Sequence, residues 1–204
     1  MIVMRSAAAV RAAAAGLLTA ALLLVPWTAP AADAPGITHY ALDPAKSSLE
    51  FTFMQAGAAN KGHFKRFQVA FDFSAENLAA SKLDVTIEMN SSDTGDQERD
   101  DTLKGADLFA VTKFPQAHFA ASQINRTASG YEAVGKLTIR GVTRDASVPF
   151  SFRTVTENGA AVGYMSGKTS VRRLDYGVGQ GDWKATDQVG NEVAVSFALR
   201  LIAH

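Results

Sequence analysis

The sequence predicts an all-β protein, an antiparallel meander that closes into a barrel or is covered by a second sheet. Apolar residues recur at every second position along most of the chain after Thr38, and short turn motifs separate the runs. A period of two is typical of a strand with one buried and one solvated face. A sheet with one long apolar face must shield that face, and a second sheet or barrel closure achieves this.

The alternation occurs in six runs, which we interpret as strands. The runs cover residues 49–53, 67–73, 83–89, 131–140, 147–152 and 193–201. Dipeptides that tolerate tight turns or positive φ lie near the ends of several runs. These dipeptides are Asp43-Pro44, Ser129-Gly130, Arg140-Gly141 and Asn158-Gly159. Short strands with brief turns between them favour sequential antiparallel pairing.

One polar stretch interrupts the period of two. From Asp96 to Phe109 the sequence is rich in Asp, Glu and Arg, which predicts a short helix or two helical turns that cover the barrel. Asp93 or Thr94 is the expected N-cap, and acids in the first turn suit the helix dipole. Pro115 then returns the chain to extended structure.

Residues 1–32 have the three-part layout of a secretory signal peptide. Arg5 and Arg11 precede an apolar run from Ala12 to Val25, and small residues follow the helix-breaking Pro26. The run is too short to span a bilayer comfortably, and no basic stop-transfer flank follows it, which argues against an uncleaved membrane anchor. We therefore predict export and a single mature domain over residues 33–204.

Charge and cysteine content exclude several classes of function. Without residues 1–32, which carry two arginines and no acid, 18 basic residues face 20 acidic ones, a net charge of −2. A nucleic-acid-binding surface requires clustered Lys and Arg, so nucleic acid is not an expected partner. The chain contains no cysteine, which excludes thiol catalysis, thiolate metal sites and lipidation at a cysteine.

Motifs for catalysis or metal binding are weak. The four histidines are widely spaced, and neither G-x-S-x-G nor H-E-x-x-H occurs. Gly177, Gly179 and Gly181 lack the spacing of a phosphate-binding loop, so we predict unusual φ angles or close backbone approach there. The acids between Asp96 and Asp101 are interpreted as a solvated helix face, with general acid–base catalysis or calcium binding as alternatives.

Aromatic residues dominate the predicted buried face. The chain contains 12 phenylalanines, most of them at inward positions, while Ala133 and Gly135 are small residues at inward positions of another strand. Large residues on some strands and small ones on others either fill a small barrel tightly or leave an elongated apolar slot. Periodicity alone leaves both alternatives open.

Six groups of residues occur in an order known from one protein family. They are Leu42–Pro44 with Ser47–Phe51, Gly62–Phe67, Ser92–Gly95 with Arg99, Asp100 and Leu103, Asp107–Phe109 with Lys113–Pro115 and Phe119, Gly135–Thr143, and Arg173–Gly179. On these residues the mature chain resembles the YceI-like family of bacterial periplasmic polyisoprenoid-binding proteins, from about Tyr40 to Leu201. After Gly179 it runs directly through Trp183 into the last strand, similar to a subgroup associated with cytochrome b561-type membrane proteins.

The resemblance implies a lipocalin-like, extended antiparallel β-barrel that binds a prenyl chain in the periplasm. It implies a noncovalent isoprenoid quinone or polyprenyl lipid as ligand, no catalytic or metal-binding residue, and a membrane cytochrome b561-type protein as a candidate partner. A homodimer is left open. An enzyme acting on a hydrophobic lipid and a ligand-free, stress-related scaffold are the alternatives.

Candidate lining residues are those at inward-facing positions of the alternating pattern, in the predicted helical cover, or in the loop before the last strand. They are Phe51, Phe53, Phe64, Phe67, Phe71, Phe73, Phe109, Phe114, Phe119 and Trp183. Charged residues that match the family pattern are interpreted as structural pairs rather than as ligands of a lipid head group. These are Arg66, Arg99, Asp100, Arg173 and Asp175.

Overall fold

The structure of the protein, a computed structural model, describes residues 36–204, which are almost entirely antiparallel β-structure. The predicted signal peptide over residues 1–32 lies outside the described residues. The strands are β1 (Thr38–Leu42), β2 (Ser48–Gln55), β3 (Ala58–Phe64), β4 (Phe67–Phe73), β5 (Lys82–Glu88), β6 (Ser92–Asp93), β7 (Gln116–Thr127), β8 (Gly130–Ile139), β9 (Val142–Glu157), β10 (Ala160–Arg172) and β11 (Val189–Ala203).

The helical elements of this part of the chain are short. The α-helix α1 covers Gln97–Lys104. Single 3-10 turns cover Pro44–Lys46, Leu78–Ala80, Met89–Ser91, Arg173–Tyr176 and Gly181–Lys184. The predicted all-β class with one short helical cover is confirmed.

Eight strands close into an antiparallel barrel in the order β1, β4, β5, β7, β8, β9, β10 and β11. Closure occurs at β1, where Tyr40 is the register partner of Phe71 on β4 and of Ala203 on β11. Beyond β1, the long β11 pairs with β2, and β2, β3 and β6 extend the wall. Closure pairs β1 with β11 and shields the apolar face of the sheet, as the alternation requires.

Two predicted turn dipeptides form the hairpins on either side of β9. Arg140 and Gly141 both have positive φ, at 50° and 73°, and so do Asn158 and Gly159, at 51° and 82°. Two-residue turns of this kind match the right-handed twist of the flanking strands, which is why Asn-Gly is favoured there. A third such turn, Ala56-Gly57, joins β2 to β3 and was not predicted.

The helix begins later than predicted. Its N-cap is Asp96, whose carboxylate accepts a hydrogen bond of 3.0 Å from the backbone N–H of Arg99. The prediction of Asp93 or Thr94 is wrong because both are used in the preceding turn. The Asp93 carboxylate accepts from the Gly95 N–H, and the Thr94 hydroxyl donates to Asp100.

Aromatic rings fill one end of the barrel, the end at which β1 lies. We call this cluster the aromatic plug; its members are Tyr40, Phe71, Phe73, Tyr131, Phe150 and Phe152. Phe71 lies at its centre with no solvent exposure and meets the ring of Phe152 edge to face at 5.1 Å between centroids. Gly163 on β10 makes room for this packing, because a Cβ there would lie 2.5 Å from Phe152.

Candidate ligand-binding cavity

The other end of the barrel is hollow. It encloses a cavity of about 620 Å³ whose wall is mainly apolar. This volume falls within the range of roughly 300–1,000 Å³ that is typical of small-molecule sites. The strand residues of the apolar wall are Leu49, Phe51, Phe53, Phe64, Phe67, Val69, Leu83, Val85, Ile87, Ala117, Phe119, Leu137, Ile139, Val148, Met165, Val171, Val189, Val193, Val195, Phe197 and Leu199.

The end of the cavity is marked on several strands by a change of residue along the inward face. On β4, Phe67 and Val69 line the cavity, whereas Phe71 on the same face belongs to the plug. On β9, Val148 lines the cavity and Phe150 belongs to the plug. The change from lining residue to plug residue marks the floor of the cavity.

The floor continues across β10 and β11. Met165 and Leu199 are register partners, and both line the cavity. Their next inward neighbours, Gly163 and Leu201, are also partners and do not line it, and Leu201 has no solvent exposure. The floor is therefore closed by packed side chains.

Polar residues surround the opposite end, which we call the polar mouth. Its members are Gln55, Asp96, Glu98, Arg99 and Thr102. The cavity reaches the surface here, since Asp96 and Glu98 are exposed. The Arg99 guanidinium connects α1 to the β2–β3 hairpin by donating to the Asn60 side-chain oxygen at 2.8 Å. No residue of α1 is fully buried, so the helix covers the mouth without a tight apolar seam.

Hydrogen bonds at the helix start also set the local electrostatics of the mouth. The backbone N–H of Arg99 lowers the pKa of the Asp96 carboxyl, and the Arg99 guanidinium contributes further. A carboxylate that accepts hydrogen bonds is stabilised in its charged form. Asp96 therefore serves as a cap, and its carboxylate is already engaged.

Arg173 also lies against the cavity and is almost fully buried, at 5% exposure. Its guanidinium donates to four backbone carbonyls, those of Val178, Trp183, Val189 and Gly190, at 2.6–2.9 Å. Burial lowers the pKa of Arg173. These four bonds hold the loop that carries Trp183 against the start of β11.

The glycines of this loop permit the arrangement around Arg173. A Cβ at Gly179 would lie 1.9 Å from an Arg173 Nη atom, and its φ is 112°. Gly177 and Gly181 also have positive φ. The prediction of unusual φ angles and close backbone approach is confirmed. Gly179 leaves space for the Arg173 guanidinium, and all three glycines adopt positive φ angles.

Most of the predicted charged pairs are structural contacts. Arg66 pairs with Glu88 at 2.5 Å, and Asp100 accepts from the Thr94 N–H and hydroxyl. Asp175 lies 3.7 Å from Arg172. For Arg173 the prediction of a pair is wrong, because backbone carbonyls surround its guanidinium in place of a carboxylate.

Seven of the ten predicted lining residues lie in the cavity wall. They are Phe51, Phe53, Phe64, Phe67, Phe109, Phe119 and Trp183. The predicted position is wrong for Phe71 and Phe73, which pack in the plug, and for Phe114. The Phe114 ring lies against Gly141 at the β8–β9 turn, with the Lys113 ammonium 5.3 Å from its centre. The alternating pattern predicts which residues of a strand point into the barrel, but not how far along the barrel axis each residue lies.

Aliphatic lining residues were missed as site candidates. Val69, Val85 and Val195 were visible in the alternating pattern, but the choice favoured aromatic rings. These shorter side chains leave the interior open at their level. Their inward positions in the alternating pattern are the signal that could have found them.

The histidines lie away from the cavity wall. His39 contacts Asp72 at 2.7 Å and His118 contacts Asp84 at 2.8 Å, both near the surface. Within residues 36–204, no group of three or more His, Asp or Glu side chains is arranged to hold a metal ion. In the same range, no helix is long and apolar enough to cross a bilayer.

Comparison with known proteins identifies the family. Residues 40–201 match the YceI-like domain. The chain belongs to the YceI-like family. A UPF0312 protein of Yersinia pestis is 35% identical over 136 residues, which is 65% of this chain and 68% of that protein. A UPF0312 protein of Yersinia enterocolitica is 41% identical over 87 residues, 43% of this chain and 45% of that protein.

Solved structures share the fold. Burkholderia cenocepacia BcnA is 32% identical, with a TM-score of 0.72 over 78% of this chain and 98% of that one. A Campylobacter jejuni YCEI protein is 24% identical, with a TM-score of 0.64 over 71% and 85% of the two chains. A polyisoprenoid-binding domain from Saccharophagus degradans is 17% identical, with a TM-score of 0.58 over 81% and 98%. The lipocalin-like barrel predicted from the family resemblance is confirmed.

Proposed function

We propose that this protein binds the apolar chain of an isoprenoid lipid, a quinone or a polyprenyl lipid, and carries or sequesters it in the periplasm. The observation that carries the proposal is the apolar cavity of about 620 Å³ with a polar mouth at one end. The fold shared with the Saccharophagus degradans polyisoprenoid-binding domain supports the same ligand class.

Burial of the chain supplies the binding free energy. Each methylene transferred from water to an apolar site contributes roughly 0.8 kcal/mol, so several five-carbon units bind without any specific polar contact. A head group remains at the polar mouth, where Gln55 and Thr102 offer hydrogen bonds and water has access. The ligand is held noncovalently.

The contacts at the mouth favour binding over catalysis. Asp96 caps α1, and Asp100 accepts hydrogen bonds from Thr94. These two carboxylates are engaged in local structure. A carrier needs only the apolar wall and an opening.

Export and partners form part of the same proposal. The layout of residues 1–32 supports a mature protein that begins near Ala32 or Asp33 and resides in the periplasm. A quinone ligand fits the subgroup resemblance, which also supports a cytochrome b561-type membrane protein as partner. N-terminal sequencing of the periplasmic fraction tests export, and an intact Met1 in membranes would contradict it.

Lipid recovered from purified protein tests the function. We expect organic extraction and mass spectrometry to find an isoprenoid lipid with the mature protein expressed in a Gram-negative host. Val195→Trp should clearly reduce this recovery because Val195 lines the cavity and an indole would occupy part of the space available to the chain. Ala194→Trp is the matched control, since Ala194 is the adjacent, exposed residue of β11.

Two outcomes count against the proposal. Absence of isoprenoid from the parent protein, together with failure to take up added ubiquinone, would show that the cavity does not serve this ligand. Equal lipid content in Val195→Trp and Ala194→Trp would place the lipid outside the barrel. Turnover of the added lipid would support the enzyme alternative.

A further inference from the structure

We infer that the aromatic plug acts as a ruler that limits how many five-carbon units of an isoprenoid chain the barrel can bury. This inference rests on the proposed function. Each of the six plug rings meets at least two others, with centroid distances from 4.9 to 6.3 Å. A chain that enters at the polar mouth therefore meets packed rings at the floor.

The plug has no gap through which a chain could pass. Phe71, Ala133 and Leu201 have no solvent exposure, and Phe150 is 4% exposed. Gly163 lets Phe152 approach the β10 backbone closely, because a Cβ there would overlap the ring. Packed interiors yield little to an added group. The cavity is therefore closed at this end.

The volume of the cavity sets the length of the buried chain. A dry cavity of about 150 Å³ holds one benzene molecule, which allots about 25 Å³ to each carbon. On that allowance, the cavity of about 620 Å³ holds roughly 25 carbons, or about five five-carbon units. Any further units remain outside the polar mouth.

Competition with a membrane makes this limit measurable. Ubiquinones that differ only in chain length are divided between the protein and phosphatidylcholine vesicles. Units inside the cavity exchange one apolar surrounding for another, whereas units left outside exchange lipid for water. The share bound to protein should fall by about tenfold or more for each unit beyond about five. Trp183, the single tryptophan of residues 33–204, lines the cavity, so its quenching by the quinone reports binding.

Phe150→Ala tests the role of the plug. Phe150 lies next to Val148 of the cavity wall on β9 and meets Phe71 at 5.8 Å. Removal of a six-carbon ring frees space for about one five-carbon unit on the same allowance of volume per carbon. The chain length beyond which the protein-bound share falls should therefore increase by about one unit. Phe114→Ala is the matched control, because Phe114 lies outside both the cavity wall and the plug. In this variant the chain length beyond which the bound share falls should be unchanged.

The outcomes separate the ruler from the proposed function. If no ubiquinone of any length leaves the vesicles, the proposed function fails. If ubiquinones bind but the bound share of the parent protein does not fall beyond any chain length, the ruler alone is overturned. The same holds if the share bound to Phe150→Ala falls beyond the same chain length as in the parent. Should Phe150→Ala not fold, Phe150→Leu keeps most of the packing, and it should permit only a smaller extension. An unchanged affinity profile in that variant would equally contradict the ruler.

Discussion

Three strands, β4, β8 and β9, contribute to both the aromatic plug and the cavity, yet the plug is packed and the cavity is hollow. Along β4, Phe67 and Val69 line the cavity, whereas Phe71 and Phe73 fill the plug. Both pairs point inward and continue one alternating pattern. The difference therefore lies in which side chains from neighbouring strands meet at each level.

Side-chain length contributes to the contrast, although aromatic residues also occur in the cavity wall. At the plug, rings from β1, β4, β8 and β9 reach the barrel axis and contact each other edge to face or stacked. In the cavity, β-branched residues such as Val85, Val148 and Val195 occupy many of the inward positions. They are too short to meet across the barrel. Atoms that line a void lose dispersion contacts, so the hollow end contributes less to stability than the plug does.

This contrast teaches a division of labour within one barrel. The plug supplies tight packing and stability, and the cavity leaves apolar surface available to a ligand. A bound ligand would restore contacts to the hollow end and stabilise the folded state by mass action. Four substitutions test the contrast between the packed plug and the hollow cavity.

Phe71→Ala should have the largest effect. Loss of a fully buried ring leaves a void in the plug and should lower the free energy of unfolding by about 3–5 kcal/mol. Phe67→Ala, on the same face of β4, should cost less in lipid-free protein because Phe67 already borders empty space. Chemical denaturation of both lipid-free variants measures the difference. Equal losses would show that the two ends are packed alike.

Gly163→Ala should lower the stability of the plug by about 1–3 kcal/mol through overpacking. The added Cβ would lie 2.5 Å from the Phe152 ring and 3.4 Å from the Tyr40 ring. Gly190→Ala is the control near the hollow end, where the nearest atom to an added Cβ is Met54 Cβ at 3.3 Å. Thermal unfolding should show a clearly larger decrease for Gly163→Ala. A reversed order would contradict the assignment of tight packing to the plug.

Asp96→Ala should loosen the cover of the mouth. Loss of an N-cap costs about 0.5–2 kcal/mol of helix stability, and α1 buries no residue that would compensate. Hydrogen exchange should accelerate at the α1 amides and remain unchanged at the strands of the plug. Asp96→Asn keeps the capping oxygen and should largely restore protection. Faster exchange throughout the barrel would show that α1 and the plug unfold together.

Acid should weaken a contact network beyond the plug. The Tyr164 hydroxyl, at 2.5 Å, and the Arg200 guanidinium, at 2.7 Å, lower the pKa of Glu157 below its ordinary value of 4.5. A lowered pKa stabilises the fold above 4.5, and this contribution is lost as pH falls through the folded-state value. The destabilisation caused by Glu157→Gln should therefore shrink on acidification. Thermal unfolding midpoints of the parent and of Glu157→Gln, measured above pH 4.5 and at more acidic pH, test this expectation.

The exposed Glu76 provides the control for this last effect. Glu76 lies in the loop after β4 and has no hydrogen bond or ion pair with the described residues. Glu76→Gln should shift the unfolding midpoint little at either end of the range. If Glu157→Gln behaves in the same way, the network around Arg200 contributes nothing measurable to the closed end.

Local sequence patterns predicted six of the eleven strands in residues 36–204, several turns and the family. The predicted runs do not include β1, β3, β6, β7 or β10. Alternation is a local property, and each residue shows its face through its immediate neighbours. Arg140-Gly141 and Asn158-Gly159 were predictable because their positive φ angles depend on residue type. The helical cover was also predictable, but its cap was not. Asp93, Thr94 and Asp96 are all good caps, and only the folded turn decides which carboxylate is free to serve.

The limits of the cavity follow from tertiary structure alone. Phe67 and Phe71 have the same residue type, the same strand and the same inward face, so no local pattern distinguishes them. Their difference depends on the register of barrel closure, which brings Tyr40 beside Phe71 on the neighbouring strand. Register places distant residues at one level, and their combined length either fills the barrel or leaves it open. The site therefore depends on strands from distant parts of the chain, which no local pattern brings together.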